Sequence, residues 1–170
     1  YRVGNVVRRL LDIADKYVNI KRVFADREFY AADVIKRLEK DNLKYVIPVP
    51  ADATRIEPRI NNFEKLSEGY DEPHDTPLYV EDGYAFYGTV KYEQTNHRVE
   101  TTLVILPPEE DDEAHDDDTP QPFITNLDVD DEIALDRRYA YEQISQYSDR
   151  GGIERSYSSI KECASYTTSK

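Results

Sequence analysis

Residues 22–49 read RVFADREFYAADVIKRLEKDNLKYVIPV. Arg22-Val23-Phe24-Ala25 is a short apolar run with β-forming residues, a buried strand that ends at Asp26. Residues 31–41 place Ala31, Val34, Ile35 and Leu38 on one face of an amphipathic helix. Leu43 to Val49 is a second apolar strand, broken by Pro48 and Pro50. Upstream, residues 2–18 carry Val3, Val6, Val7, Leu10, Leu11, Ile13, Ala14 and Val18 at helical spacing, and Asn19 is a stop. Helix, strand, helix and strand at this spacing predict a parallel α/β layer.

From Ala51 the pattern changes. Residues 51–77 are polar and contain prolines. Leu78–Val80, a turn at Glu81-Asp82-Gly83, Tyr84–Tyr92, a polar turn through Asn96 and Val99–Leu106 predict a meander of antiparallel strands. One further strand is expected at Pro122–Leu127, and helical character returns over residues 131–166. The expected organisation is an α/β core in two pieces, residues 1–50 and 121–170, separated by a β-rich acidic insertion over 51–120.

Charge marks the same boundaries. The chain of 170 residues has a formal net charge of −13. Residues 51–120 hold 19 acidic and 5 basic residues, whereas the remaining hundred hold 16 and 17, so the insertion carries all of the acidity. Its densest part, Glu109 to Asp118, repels itself and is expected to stay solvated. A globally acidic chain argues against nucleic acid, but segregated acid leaves the flanks free to bind it. Acid-rich surfaces with Lys (9) scarcer than Arg (13) also suit a high-salt environment.

No run of eighteen apolar residues exists, so no membrane crossing is expected. A single cysteine, Cys163, excludes intramolecular disulfides and Cys-rich zinc sites, and fits a reducing compartment. His74, His97 and His115 lack metal-ligand spacing. Tyr79, Tyr84, Tyr87 and Tyr92 are expected to pack the β meander. The chain opens at Tyr1 and contains no Met, so it reads as a fragment.

Two places can carry chemistry. Asp26 ends a buried strand, where α/β sheets place ligands, and a carboxylate there suits Mg²⁺. Tyr147, Arg150, Glu154 and Lys161 lie at offsets 0, 3, 7 and 14 in the C-terminal helical segment. On a helix they share a sector of about 60°. The bland alternatives are a turn-capping Asp and a solvated face with an Arg150–Glu154 ion pair.

Tyr147-x2-Arg150-x3-Glu154-x6-Lys161 resembles the YREK signature of insertion-sequence transposases with a DDE catalytic triad. Asp26-Arg27-Glu28-Phe29 resembles the segment around the second Asp of that triad, and Thr167-Thr168-Ser169 the segment that follows the signature Lys. The resemblance implies an RNase H-like α/β fold whose early strands are missing here. It implies that Asp26 and Glu154 are catalytic and ligate Mg²⁺ or Mn²⁺ in a two-metal site. Tyr147, Arg150 and Lys161 would then contact the transposon-end DNA. It further implies DNA as partner and substrate, a homodimer in the synaptic complex, and a prokaryotic, cytoplasmic, nucleoid-associated protein. The first catalytic Asp is expected on a strand upstream of residue 2. This fragment, with two acids of three, is therefore expected to be inactive alone. Another RNase H-like nuclease and a non-catalytic acidic binding domain are the rival readings.

Overall fold

A computed structural model describes residues 3–50, 53, 55–68, 78–90, 95–107, 120–129 and 142–144. The elements are α1 (Val3–Ala14), β1 (Arg22–Phe24), a 3₁₀ turn (Arg27–Phe29), α2 (Ala32–Lys40), β2 (Lys44–Pro48), α3 (Glu57–Ser67), β3 (Tyr79–Val90), β4 (Thr95–Leu106) and β5 (Gln121–Thr125). All five strands form one sheet in the order β1-β2-β5-β4-β3. β1 and β2 run parallel, with Val23 opposite Tyr45. The other pairs are antiparallel.

β2 lies inside this sheet, and both of its faces are covered. Tyr45, Val46 and Ile47 are fully buried, which is why the segment is a continuous apolar run. Tyr45 and Ile47 join Val34, Ile35 and Leu38 of α2, together with Leu103, Ile105 and Ile124. Val46 faces the other way, onto Leu78, Val104, Phe123 and Ile144. Strand alternation thus divides the interior into two apolar layers, one on each side of the sheet. α2 ends where Asn42 takes a left-handed conformation (φ 55°). There Leu43 N–H donates to Leu38 O at 2.9 Å and Asn42 N–H to Glu39 O at 3.0 Å, a Schellman closure that turns the chain directly into β2.

Three expectations are corrected. The polar stretch after Ala51 contains α3, with Pro58 in its first turn. Ile56, Ile60 and Phe63, at offsets 0, 4 and 7, give it an apolar stripe, and Ile56 and Phe63 are buried. The residues 81–83 are a β-bulge inside one long strand and not a turn. Glu81 pairs with Leu103 and Tyr84 with Thr101, so Asp82 and Gly83 oppose Thr102 alone. Gly83 supplies the positive φ of 71° that the bulge requires. Asp82 Oδ1 accepts a hydrogen bond from Thr102 Oγ1 at 2.8 Å across it. The polar turn expected through Asn96 is displaced as well, because Asn96 pairs with Thr89 on β4.

α1 packs on α2 through Val7, Leu11 and Gly4. Gly4 N–H donates to Asp33 Oδ2 at 3.1 Å, so a carboxylate from α2 caps the first turn of α1. A Cβ on Gly4 would lie 2.4 Å from that oxygen. Helix propensity alone predicts that Gly4→Ala stabilises by up to about 1 kcal/mol. The structure predicts the opposite sign, because the cap must be displaced. Urea unfolding of Gly4→Ala and Asp33→Ala is expected to show losses of about 1 kcal/mol each, less than additive in the double variant.

Candidate active site

Asp26 is placed by the strand that precedes it. Ala25 N–H still donates to Val46 O at 3.2 Å, so the ladder with β2 continues to the residue before the carboxylate. Asp26 itself is extended (φ −69°, ψ 161°). Phe29 N–H then donates to Asp26 O at 2.8 Å and Tyr30 N–H to Arg27 O at 3.0 Å, closing the 3₁₀ turn. Asp26 therefore sits half-buried at the C-terminal end of a parallel strand, the position at which open α/β sheets hold ligands. Val23 and Ala25 pack towards α2, whereas Phe24 packs on the opposite layer. Alternation places Arg22, Phe24 and Asp26 on that opposite side.

Residues 142–144 lie on the same side. Ile144 is fully buried with Val46, Phe123 and Val104. The Arg22 guanidinium donates to Gln143 Oε1. The chain leading to Tyr147, Arg150, Glu154 and Lys161 thus passes beside β1. Those four residues lie outside the described residues.

The second edge of β1 carries no strand among the described residues. Lys21 O and Ala25 N–H are used towards β2, so the amides and carbonyls of Arg22 and Phe24 point to the other edge. A groove of about 430 Å³ lies between β1 and the helices, lined by Val7, Leu10 and Leu11 of α1, Val23 to Asp26, Phe29, and Val34 and Leu38 of α2. Val3, Val6, Leu10 and Ile13 of α1, and Tyr17 in the turn after it, follow at alternating three- and four-residue spacing. All five are exposed, Leu10 to 56% and Tyr17 to 82%.

A network that the sequence did not reveal lies beyond the 3₁₀ turn. The Tyr30 ring stacks on Phe86 with centroids 4.4 Å apart. Its hydroxyl is 3.1 Å from that of Tyr84. Burial, and then the contact with Tyr84, push the Tyr30 phenol far up, so it stays neutral at physiological pH. Arg59 grips Glu81 with two hydrogen bonds of 2.6 Å, and Tyr79 donates to the same carboxylate at 3.0 Å. The Arg59 guanidinium lies 5.2 Å from the centre of the Tyr84 ring. The partners are separated by tens of residues and by a helix absent from the expected elements, so no local motif announced them.

No group of three or more His, Cys, Asp or Glu suited to a metal occurs among the described residues. Asp26 is a hard oxygen donor of the type that Mg²⁺ takes, and it needs further carboxylates to hold one. Asp12 pairs with Arg37 of α2 at 3.5 Å. His97 contacts Lys36 Nζ. His74, His115 and Cys163 fall outside the described residues. Tyr79 and Tyr84 pack the sheet as expected, whereas Tyr87 is exposed. No helix among the described residues is long and apolar enough to cross a membrane.

A family model described as the transposase DDE domain matches residues 4–166. No curated protein and no solved structure matches the chain. The match spans nearly the whole chain, which therefore belongs to the transposase DDE domain family.

The Arg59–Glu81 pair generates a pH dependence. The hydrogen bonds from Arg59 hold the Glu81 carboxyl below its ordinary value of 4.5. A depressed carboxyl contributes stability that is present above the unfolded value and lost as the pH falls through the folded one. The melting temperature is expected to fall as the pH drops below about 4.5, and the fall should be shallower in Glu81→Gln. Thermal melts of both proteins between neutral pH and pH 3 check this.

Proposed function

We propose that this member of the transposase DDE domain family uses Asp26 and Glu154 as catalytic carboxylates in cleaving and joining transposon-end DNA. The carrying observation is the passage of residues 142–144 beside β1. Gln143 stands at Arg22, the start of β1. From there to Glu154 is eleven residues, about 16 Å along a helix. From Arg22 to Asp26 is four residues, about 13 Å of extended chain. A helix from Gln143 running alongside β1 would cover the same length, which supports a Glu154 that faces Asp26.

The edge of β1, which carries no strand among the described residues, supports the RNase H-like reading. The groove and the exposed apolar stripe of α1 beside it leave room for further strands. We assign that place to strands of the same polypeptide upstream of residue 1, the first of which carries the remaining carboxylate. Residues 1–50 and 121–170 are then the two pieces of the catalytic core, and 51–120 is an insertion whose strands extend the core sheet. The described part alone lacks a full acidic set and is expected to be inactive.

Transposition requires in-line attack on a phosphodiester by water or by a 3′-hydroxyl. Mg²⁺ or Mn²⁺, when bound, supplies the Lewis acidity that activates the nucleophile and stabilises the leaving oxygen. Asp26 and Glu154 would hold it with oxygen ligands. Arg150 and Lys161 neutralise phosphate, Arg150 bidentately. Tyr147 donates to a phosphate or stacks on a base. Two transposon ends call for two catalytic centres, which a homodimer supplies. The YREK assignment rests on these residues and their spacing.

Asp26→Ala and Glu154→Ala in the full-length protein are each expected to reduce end cleavage by about a thousandfold or more, with end-DNA binding within about threefold of the parent. Retained cleavage in either variant contradicts its role. Reading the DNA upstream of the Tyr1 codon tests the missing strand. An in-frame β-rich segment whose first apolar strand ends in Asp fits the proposal, and a stop codon or frameshift opposes it.

A further inference from the structure

The segment that follows Asp26 rests on one face of β3. Tyr84, Phe86 and Gly88 alternate along that strand, so they share a face. Each meets the chain just after the 3₁₀ turn. Tyr84 meets the Tyr30 hydroxyl at 3.1 Å. Phe86 stacks under the Tyr30 ring at 4.4 Å, tilted by 24°. Gly88 leaves room for Ala32, since a Cβ there would lie 2.4 Å from the Ala32 Cβ and 3.1 Å from its backbone nitrogen. Only a residue without a side chain permits that approach. Behind the contact, Arg59 lies against the Tyr84 ring and is fixed by Glu81.

We propose that this face of β3 is a rest that holds the Asp26 turn, with Tyr30 as a positioning residue for the Asp26 carboxylate. The inference rests on the catalytic reading of Asp26 for its functional half and on the geometry alone for its structural half. Only three residues separate Asp26 from Tyr30, and the 3₁₀ hydrogen bonds leave little slack between them. Tyr30 is neutral and is engaged by two aromatic partners, so its contribution is placement and not proton transfer. The strands of the acidic insertion thereby acquire a task in the core, since β3 limits how far the turn after β1 can move. A carboxylate that must stay in position to hold a cation gains from a second anchor beyond its own strand.

The test compares Tyr30→Ala, Tyr30→Phe, Phe86→Ala and Tyr84→Phe. Amide hydrogen exchange of residues 26–31 reads the rest directly. Cleavage of end DNA by the full-length protein, titrated with Mg²⁺, reads its consequence. Tyr30→Ala and Phe86→Ala are each expected to speed exchange at residues 26–31 by about tenfold, with β2 and β5 unchanged. They should also raise the Mg²⁺ midpoint by about tenfold, with end-DNA binding retained. Tyr30→Phe keeps the stack and is expected to restore both readouts, and Tyr84→Phe should show a small effect. Unchanged exchange at 26–31 in both alanine variants overturns the rest, whatever Asp26 does. Faster exchange with an unaltered Mg²⁺ midpoint, in a protein that Asp26→Ala inactivates, overturns the positioning role. Full cleavage by Asp26→Ala removes the catalytic reading and with it the positioning role, leaving the exchange data to decide the rest alone.

Discussion

Burying β2 on both faces is the constraint from which the other features follow. An interior strand whose three central side chains are all buried needs a layer on each side and a strand on each edge. α2 covers one side, and Ile144 with Leu78 helps to cover the other. The buried hydroxyls of Tyr45, Thr101 and Thr125 are paired. The Tyr45 hydroxyl is 2.7 Å from Thr101 Oγ1, Thr101 Oγ1 donates to Thr125 O at 2.9 Å, and Thr125 Oγ1 donates to Tyr45 O at 2.7 Å. These bonds stitch β2, β5 and β4 together. Asn126 continues the stitching beyond β5. Its side-chain oxygen accepts from Tyr45 N–H at 2.9 Å and its amide donates to Leu43 O at 3.0 Å. Breaking one member leaves buried partners unpaired, which costs more than the bond itself contributes.

This stitched centre explains why the insertion is not an appendage. β3, β4 and β5 share one sheet with β1 and β2, so the strand end carrying Asp26 and the face of β3 belong to one framework. The negative charge of residues 51–120 is thereby joined to a core region of nearly balanced charge. The DNA substrate proposed above therefore encounters a charge that differs between the insertion and the core. Segregation of charge, rather than net charge, governs such an encounter.

The strand–helix–strand over residues 22–49 was legible because its periodicities are clean and its caps are local. Asp26 was legible for the same reason, as a carboxylate ending an apolar run. α3 was hidden by its composition: a polar, proline-bearing segment carries only three apolar residues on its inner face, and Pro58 reads as a breaker unless it is placed in the first turn. The bulge at Asp82-Gly83 has the composition of a hairpin turn, and only pairing with β4 distinguishes the two. Contacts such as Tyr30 with Phe86 or Arg22 with Gln143 join residues far apart in the chain, and no local pattern encodes them. That β1 lies at the edge of the sheet among the described residues also has no sequence signature, since an edge is defined by what lies beside it.

On the proposed reading, Asp26 and Glu154 share one cation site. Paramagnetic line broadening by Mn²⁺ in an amide NMR spectrum of this chain tests it most directly. The account predicts that resonances around Asp26 and around Glu154 broaden together over the same Mn²⁺ range, and that Asp26→Asn and Glu154→Gln each weaken the broadening at both places. Broadening at one place that is indifferent to substitution at the other would contradict it.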